Sequence, residues 1–278
     1  MSSPQRHAII EDAIIASDFH IHDDSHLKQV STFCDLVDSE KPSLLILNGD
    51  IGDPWEEPWE AILKTSSWKR LSHTCELRDQ MQLETIWINR NHDFNAKWRY
   101  LPHVHLRGRY YFETTYQVKT PEFHLTKSFR IMCLHGWEFD LSWGGLGFLP
   151  GVSELAFWMS THFPQFMIPT YHLLFGRRTP GMLKKKIIPE SRKTVDDWDL
   201  HVGVIHLRAR GWARGHNVAV IIGHTHCPTP FDGLIVDSGD MIDSFSYARL
   251  KDGNLELKYL YEDSISTSGN HIDKSELG

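Results

Sequence analysis

Three things are scarce in this chain, and each scarcity removes a class of protein. Cysteine occurs four times, at Cys34, Cys75, Cys133 and Cys227, far apart and with no Cys-x-x-Cys pair. Neither a thiolate zinc knot nor a disulfide framework is expected, and a reducing cytosol is the default compartment. No uninterrupted apolar run approaches the roughly 18 residues that span a bilayer, and Met1 to Asp12 is too polar for a secretory leader. An excess of basic residues is also missing. The formal charge of -7 argues against generic nucleic-acid binding. It does not argue against small anionic substrates, because a metal site supplies positive charge locally. The expectation is a cytoplasmic protein, with at most peripheral membrane contact.

What is present fits a globular fold. A chain of 278 residues can bury a full core as one large domain or two small ones. Its 41% hydrophobic and 23% charged residues are ordinary values. Histidine, at 18, and tryptophan, at 10, are in surplus. Surplus histidine suits a metalloprotein, although many histidines simply face solvent. No internal repeat is visible.

Along the chain, short apolar runs repeatedly end in polar loops. Ala13 to Ser17 reads as a strand ending in Asp18-Phe19-His20. Leu44 to Leu47 reads as a buried strand that stops at Asn48-Gly49-Asp50-Ile51-Gly52-Asp53, where the two glycines permit sharp turns. Thr85 to Asn89 leads into Arg90-Asn91-His92-Asp93, Phe129 to Leu134 into His135-Gly136-Trp137-Glu138-Phe139-Asp140, and Val218 to Ile222 into Gly223-His224-Thr225-His226. Two or three strands are expected between Val104 and Val118, and two more near Leu234 to Val236 and Leu255 to Tyr261. Helical spacing marks His26 to Ser39, Trp59 to Leu71, Cys75 to Gln82 and the stripe Val195, Trp198, Val202, Ile205, Ala209, Trp212.

Between Trp143 and Phe175 the only formally charged side chain is Glu154. Residues 176–214 then hold ten Lys or Arg against four acids. The reading is therefore a core of residues 1–142 and 215–262, a helical lid insertion at 143–214 and a polar tail at 263–278.

The five junctions carry the chemistry. Asp18, His20, Asp50, Asn91, His135, His224 and His226 are loop-borne oxygen or imidazole donors, with no sulfur among them. That mixture suits borderline divalent ions such as Mn, Fe, Co, Ni or Zn. Spacing of two in Asp-x-His and His-x-His puts both side chains on one side of an extended segment. Singly, each has a plainer explanation: Asp18 as a helix cap, His135 as a satisfied core histidine, Asn91 as a turn residue. Five such junctions together favour a metal site.

This set and its order resemble the calcineurin-like metallophosphoesterase superfamily, whose pattern runs Asp-x-His, Gly-Asp-x-x-Asp, Gly-Asn-His-Asp, His, Gly-His-x-His. The resemblance spans Asp18 to His226. It implies an α/β fold, a four-layer αββα sandwich of two mixed sheets, with two divalent metal ions (Mn foremost) at the sheets' C-terminal edges. Asp18, His20, Asp50 and His226 would hold one ion, and Asp50, Asn91, His135 and His224 the other. Arg90 stands where the family has Gly, which makes Asn89 a minor rival to Asn91.

Two cations about 3.5–4 Å apart can bind a phosphoryl oxygen and share a hydroxide that attacks phosphorus in line. His92 is then the general acid, as the resemblance also implies, with its neighbour Asp93 setting it. Three features are similar to the UDP-2,3-diacylglucosamine pyrophosphatase-like branch. They are the His135 to Asp140 element, the run Gly223 to Pro228 with Asp237-Ser238-Gly239-Asp240, and the insertion itself. Asp237 replaces Asn there, and Met241 replaces Trp.

The favoured substrate is accordingly a small nucleotide-linked or lipid-linked pyrophosphate. Alternatives are a phosphomonoesterase or phosphodiesterase acting on nucleotides or phosphoproteins, and a non-catalytic scaffold. Arg90, Lys184 and Lys185 are candidates to meet substrate phosphate, a solvated surface being their plainer reading. The apolar part of the lid suits acyl chains or a membrane interface, and equally packing onto its own domain or a dimer contact.

Overall fold

The computed structural model describes residues 9–89, 91–93, 96–119, 124–140 and 195–261. Residues 143–194 of the expected lid, with Lys184 and Lys185, lie outside the described residues, as do Arg90 and the tail at 263–278.

Two mixed sheets face each other. The first runs β10-β9-β1-β2-β3-β4, built from β1 (Asp12–Ala16), β2 (Leu44–Leu47), β3 (Glu84–Ile88), β4 (His105–Arg107), β9 (Ser246–Lys251) and β10 (Asn254–Tyr259). The strands β1 to β4 are parallel, while β9 runs antiparallel to both β1 and β10. The second runs β5-β6-β7-β8, from β5 (Tyr110–Lys119), β6 (His124–Cys133), β7 (Ala219–Ile222) and β8 (Ile235–Asp237). There β5 and β6 form an antiparallel pair, and β6, β7 and β8 are parallel.

Strict alternation sorts the side chains into layers, because successive residues of a strand face opposite sides. Ala13, Ile15, Leu44, Ile46, Ile86 and Ile88 meet Ile131, Cys133, Ala219, Ile221 and Val236 between the sheets. The residues in between, Ile14, Ala16, Leu45, Leu47 and Trp87, pack under α1 (Leu27–Glu40) and α3 (Ser66–Gln80). On the far side Met132, Val220, Ile222 and Ile235 pack against Ile205, Ala209 and Ala213 of α4 (Val195–His216). Burial on both faces explains why β2 and β7 read as continuous apolar runs. The result is the expected αββα order, helices outside and two sheets within.

Three expectations are corrected. The helix read over Trp59 to Leu71 is broken, with α2 (Trp59–Ile62) followed by α3, whose N-terminus Thr65 caps by accepting the Trp68 N–H. The second piece at Cys75 is a continuation of α3, not a new helix. The helix α4 packs on β7 and β8 as the fourth layer, so it belongs to the layered core rather than to a lid ending at 214. One strand, β9, has no counterpart among those expected from the sequence. β9 pairs with β10 across Asp252-Gly253, a dipeptide whose positive φ values (51° and 78°) suit a tight hairpin.

The tryptophan surplus has a place. Trp59, Trp68 and Trp87 meet edge-on or tilted, with ring centroids 5.4–6.1 Å apart, and Tyr100 stacks on Trp59 at 4.8 Å. This wall backs the Asp50 to Asp53 loop, since a Cβ on Gly52 would meet the Trp59 ring at 2.6 Å.

Candidate metal centre

The parallel strands of the two sheets deliver their C-terminal ends to one edge, where α/β folds place ligands. Asp18 and His20 follow β1, Asp50 and Asp53 follow β2, and the turn Asn91–Asp93 follows β3. From the second sheet, His135 and Asp140 follow β6, His224 and His226 follow β7, and Asp240 follows β8.

The sequence candidates come together in two sets. In Asp18, His20 and His226, and again in Asp50, His135 and His224, one donor atom per residue lies within 4.8 Å of the others. The sets adjoin through short distances. His20 Nε2 is 3.7 Å from Asp18 Oδ1 and 3.8 Å from Asp50 Oδ2. His226 Nε2 is 3.4 Å from Asp18 Oδ1, and His135 Nε2 is 3.1 Å from Asp50 Oδ2. Asn91 sits in the turn beside them, its side chain outside the described residues.

Among the buried atoms here that lack a hydrogen-bond partner are Asp240 Oδ2, Asp18 Oδ1, His20 Nε2 and His135 Nε2. The last is close to Asp50 but outside hydrogen-bond geometry. Buried polar atoms left unpaired are costly. Lone pairs of two carboxylates and three imidazoles turned toward one space are what a divalent cation requires. The donor set therefore fits a metal.

Each ring is also held from behind, as metal-binding histidines generally are. His135 Nδ1–H donates to the Asn48 carbonyl (2.9 Å), and the Asn48 amide donates back across the sheets to the Leu134 carbonyl (3.0 Å). His226 Nδ1 lies 3.4 Å from Asp240. His224 Nε2–H donates to Asp140 (3.1 Å), while its backbone N–H donates to Asp18 Oδ2 (2.9 Å). Gly49 is required where it stands: φ is +91°, and a Cβ would fall 2.5 Å from His135 Nδ1.

Backbone strain falls on five of the same residues, as it also does at six non-glycine positions elsewhere among the described residues. Asp18, His20, Asp50, His224 and His226 all have φ between 45° and 68°, the left-handed region that Asp and His enter more readily than most residues. Such outliers gather at functional sites. Apart from residue type, the sequence carries no sign of this.

One pairing differs from the sequence reading. The carboxylate on His92 is Asp53, not Asp93: His92 Nδ1–H donates to Asp53 Oδ1 at 2.8 Å. Asp53 Oδ2 also accepts from His20 Nδ1–H at 3.4 Å. Asp93 turns inward instead, accepting from the Ile51 and Gly52 N–H groups and from Trp87 Nε1–H, each at 2.9 Å. Neighbours in sequence on a tight turn point different ways, and Asp53 sits three residues after Asp50, where the Gly-Asp-x-x-Asp spacing already marked it. Asp93 is thus a strut under the Asp50 loop. Asp93→Ala leaves three buried N–H groups without acceptors, at about 1–3 kcal/mol each. A fall in unfolding free energy of roughly 3 kcal/mol or more is expected in urea titration, and unchanged stability would contradict the strut role.

Charge follows geometry. Burial opposes protonation of His135, but the Asp50 and Asp18 carboxylates outweigh it and raise the ring to about 10. His20 and His226 are raised likewise against burial, His20 by Asp18, Asp53 and Asp50 and His226 by Asp18 and Asp240. Asp18 is held below the usual carboxylate range because His135, His20 and His226 outweigh its burial. Asp93 moves the other way, to about 8, through burial and the Asp50 charge. A cation binding at these rings must displace their protons. Mn²⁺ affinity measured by equilibrium dialysis should therefore rise with pH from 6 to 8, with proton release on binding. A pH-independent affinity would exclude these rings as ligands.

No family model matches the sequence, and no curated protein does. Among solved structures, the chain is similar to the Escherichia coli phosphoesterase YfcE (14% identity, TM-score 0.38, covering 91% of this chain and 94% of that one). It is also similar to a dimetal phosphatase from Danio rerio (12%, 0.38, 90% and 96%). A third is GAP50, the anchor in the inner membrane complex of Plasmodium (10%, 0.40, 91% and 84%). Likenesses this distant carry nothing about activity. Among the described residues, no helix is long and apolar enough to cross a membrane.

Proposed function

We propose that the protein is a dinuclear-metal phosphohydrolase. Asp18, His20, Asp50 and His226 would hold one divalent ion, and Asp50, Asn91, His135 and His224 the other. The observation that carries this reading is the convergence of unpartnered, buried Asp18 Oδ1, His20 Nε2 and His135 Nε2 beside Asp50. A bound pair of divalent cations supplies Lewis acidity and a water-derived nucleophile at neutral pH.

The residues of the chain do the rest. Asp53 fixes His92 through Nδ1, which leaves Nε2 as the nitrogen that passes a proton to the departing oxygen. The Asp50 carboxylate accepts the His92 backbone N–H at 2.9 Å, tying the acid's position to the shared ligand. The Trp55 ring, 5.6 Å from His92, and the His20 ring, 4.7 Å from it edge-on, restrict its rotation.

Within this class, a nucleotide-linked or lipid-linked pyrophosphate is the favoured substrate and Mn the favoured metal. Support comes from the His135 to Asp140 element, whose Asp140 meets His224, and from the apolar-then-basic insertion in the sequence. The test is a Mn-loaded sample offered a UDP-linked diacyl sugar, simple nucleotides and a chromogenic diester, with products identified by mass. A UMP product from the first substrate supports the reading, and cleavage of the diester alone moves the assignment to phosphodiesterases. Failure to take up metal, with no hydrolysis of anything, leaves the scaffold reading.

A further inference from the structure

The loop that presents His224 and His226 is held from beneath by a side chain between them. Both histidines stand on left-handed backbone, at φ 68° and 55°. Thr225, only 1% exposed, donates its Oγ1–H to Asp237 Oδ2 at 2.6 Å and accepts the Cys227 N–H at 3.1 Å. Asp237 ends β8 and is fully buried. Its Oδ2 also accepts from His206 Nε2–H at 2.8 Å, and its Oδ1 accepts the Gly239 N–H at 3.0 Å. Gly239 precedes Asp240, which backs His226. His206 is itself buried, at 7% exposure, and comes from α4 in the outermost layer.

We propose that His206 and Asp237 are positioning residues for the metal centre, an inference that rests on the two-metal reading above. His206 anchors the Asp237 carboxylate, and Asp237 anchors Thr225, so the imidazoles on either side keep one orientation. Asp237 is suited to this because both of its oxygens accept, Oδ2 from two donors and Oδ1 from one. An asparagine in its place would turn one oxygen into an NH2 group facing a donor. Removing His206 withdraws a donor from a buried carboxylate, which must then find another or shift. The outer helix thereby reaches the His224–His226 loop through His206 and Asp237, in addition to the contact of its His201 with Asp140 at 3.3 Å.

The test compares Mn²⁺ binding to the wild type, His206→Leu, His206→Gln and Asp237→Asn by equilibrium dialysis, with circular dichroism to establish folding. Wild type is expected to bind two ions. Folded His206→Leu and Asp237→Asn should bind about 10–100-fold more weakly, the usual effect of losing a residue behind a metal ligand. His206→Gln, whose amide N–H can replace the lost donor, should recover part of that loss. Wild-type affinity in either folded variant overturns the proposal, and Asp237→Asn decides alone should His206→Leu fail to fold. A wild type that binds no Mn²⁺ overturns the metal reading instead, so the two failures are distinguishable.

Discussion

Asp50→Asn should give a folded protein that no longer retains two ions and whose phosphohydrolase turnover falls on the order of 10³-fold or more. Asp50 is 1% exposed and lies between the two donor sets, with Oδ2 3.1 Å from His135 Nε2, 3.8 Å from His20 Nε2 and 3.9 Å from His92 Nε2. An amide there still accepts the His92 N–H through its oxygen, so the loop keeps its shape while the shared negative charge disappears. Several kcal/mol of charge stabilisation from bound cations then goes with it, which sets the scale of the rate loss. Metal content by mass spectrometry, folding by circular dichroism and turnover on the best substrate are the measurements. Two retained ions with wild-type turnover would remove Asp50 from the site.

His92→Ala separates catalysis from metal binding. Turnover should drop about 10²–10⁴-fold, the usual worth of a positioned acid, with metal content near wild type. Residue 92 contributes its backbone N–H to Asp50 whatever its side chain. Its ring meets Asp53 rather than completing either ligand set named above. Asp53→Asn should move turnover in the same direction, because it loosens the ring, while Asp93→Ala should act through stability. Metal loss from His92→Ala without a slower reaction would contradict the assignment of the acid.

The strands β1, β2, β3 and β7 that lead into the site were legible because each is buried on both faces, which leaves a bare apolar run that stops at a polar loop. Leu44 to Leu47 and Val218 to Ile222 are of this kind. β9 was harder: Arg249 interrupts its apolar run, yet it is buried and paired to Asp12 and Glu40, a tertiary match that no local pattern reveals. The meeting of Asp18, Asp50, His135 and His224 was legible from their repeated placement after strands. The carboxylate that serves His92 was not. Adjacency favoured Asp93, whereas a three-residue turn aims that side chain at Trp87 and brings Asp53 across from another loop. The outer helix was legible as a helix, but two of its three histidines, His201 near Asp140 and His206 on Asp237, gave no signal, because their partners lie 61 and 31 positions away.

The contorted main chain at Asp18, His20, Asp50, His224 and His226 has a consequence for the order of assembly. Protein groups restrain several of these turns: the Asp18 carboxylate receives the His224 amide, and Asp93 clasps the amides after Asp50. Chelation should therefore empty the protein without melting it, and returning Mn²⁺ should restore it within the time of simple binding. Such a molecule folds first and is charged afterwards, unlike small domains in which the ion itself nucleates the chain.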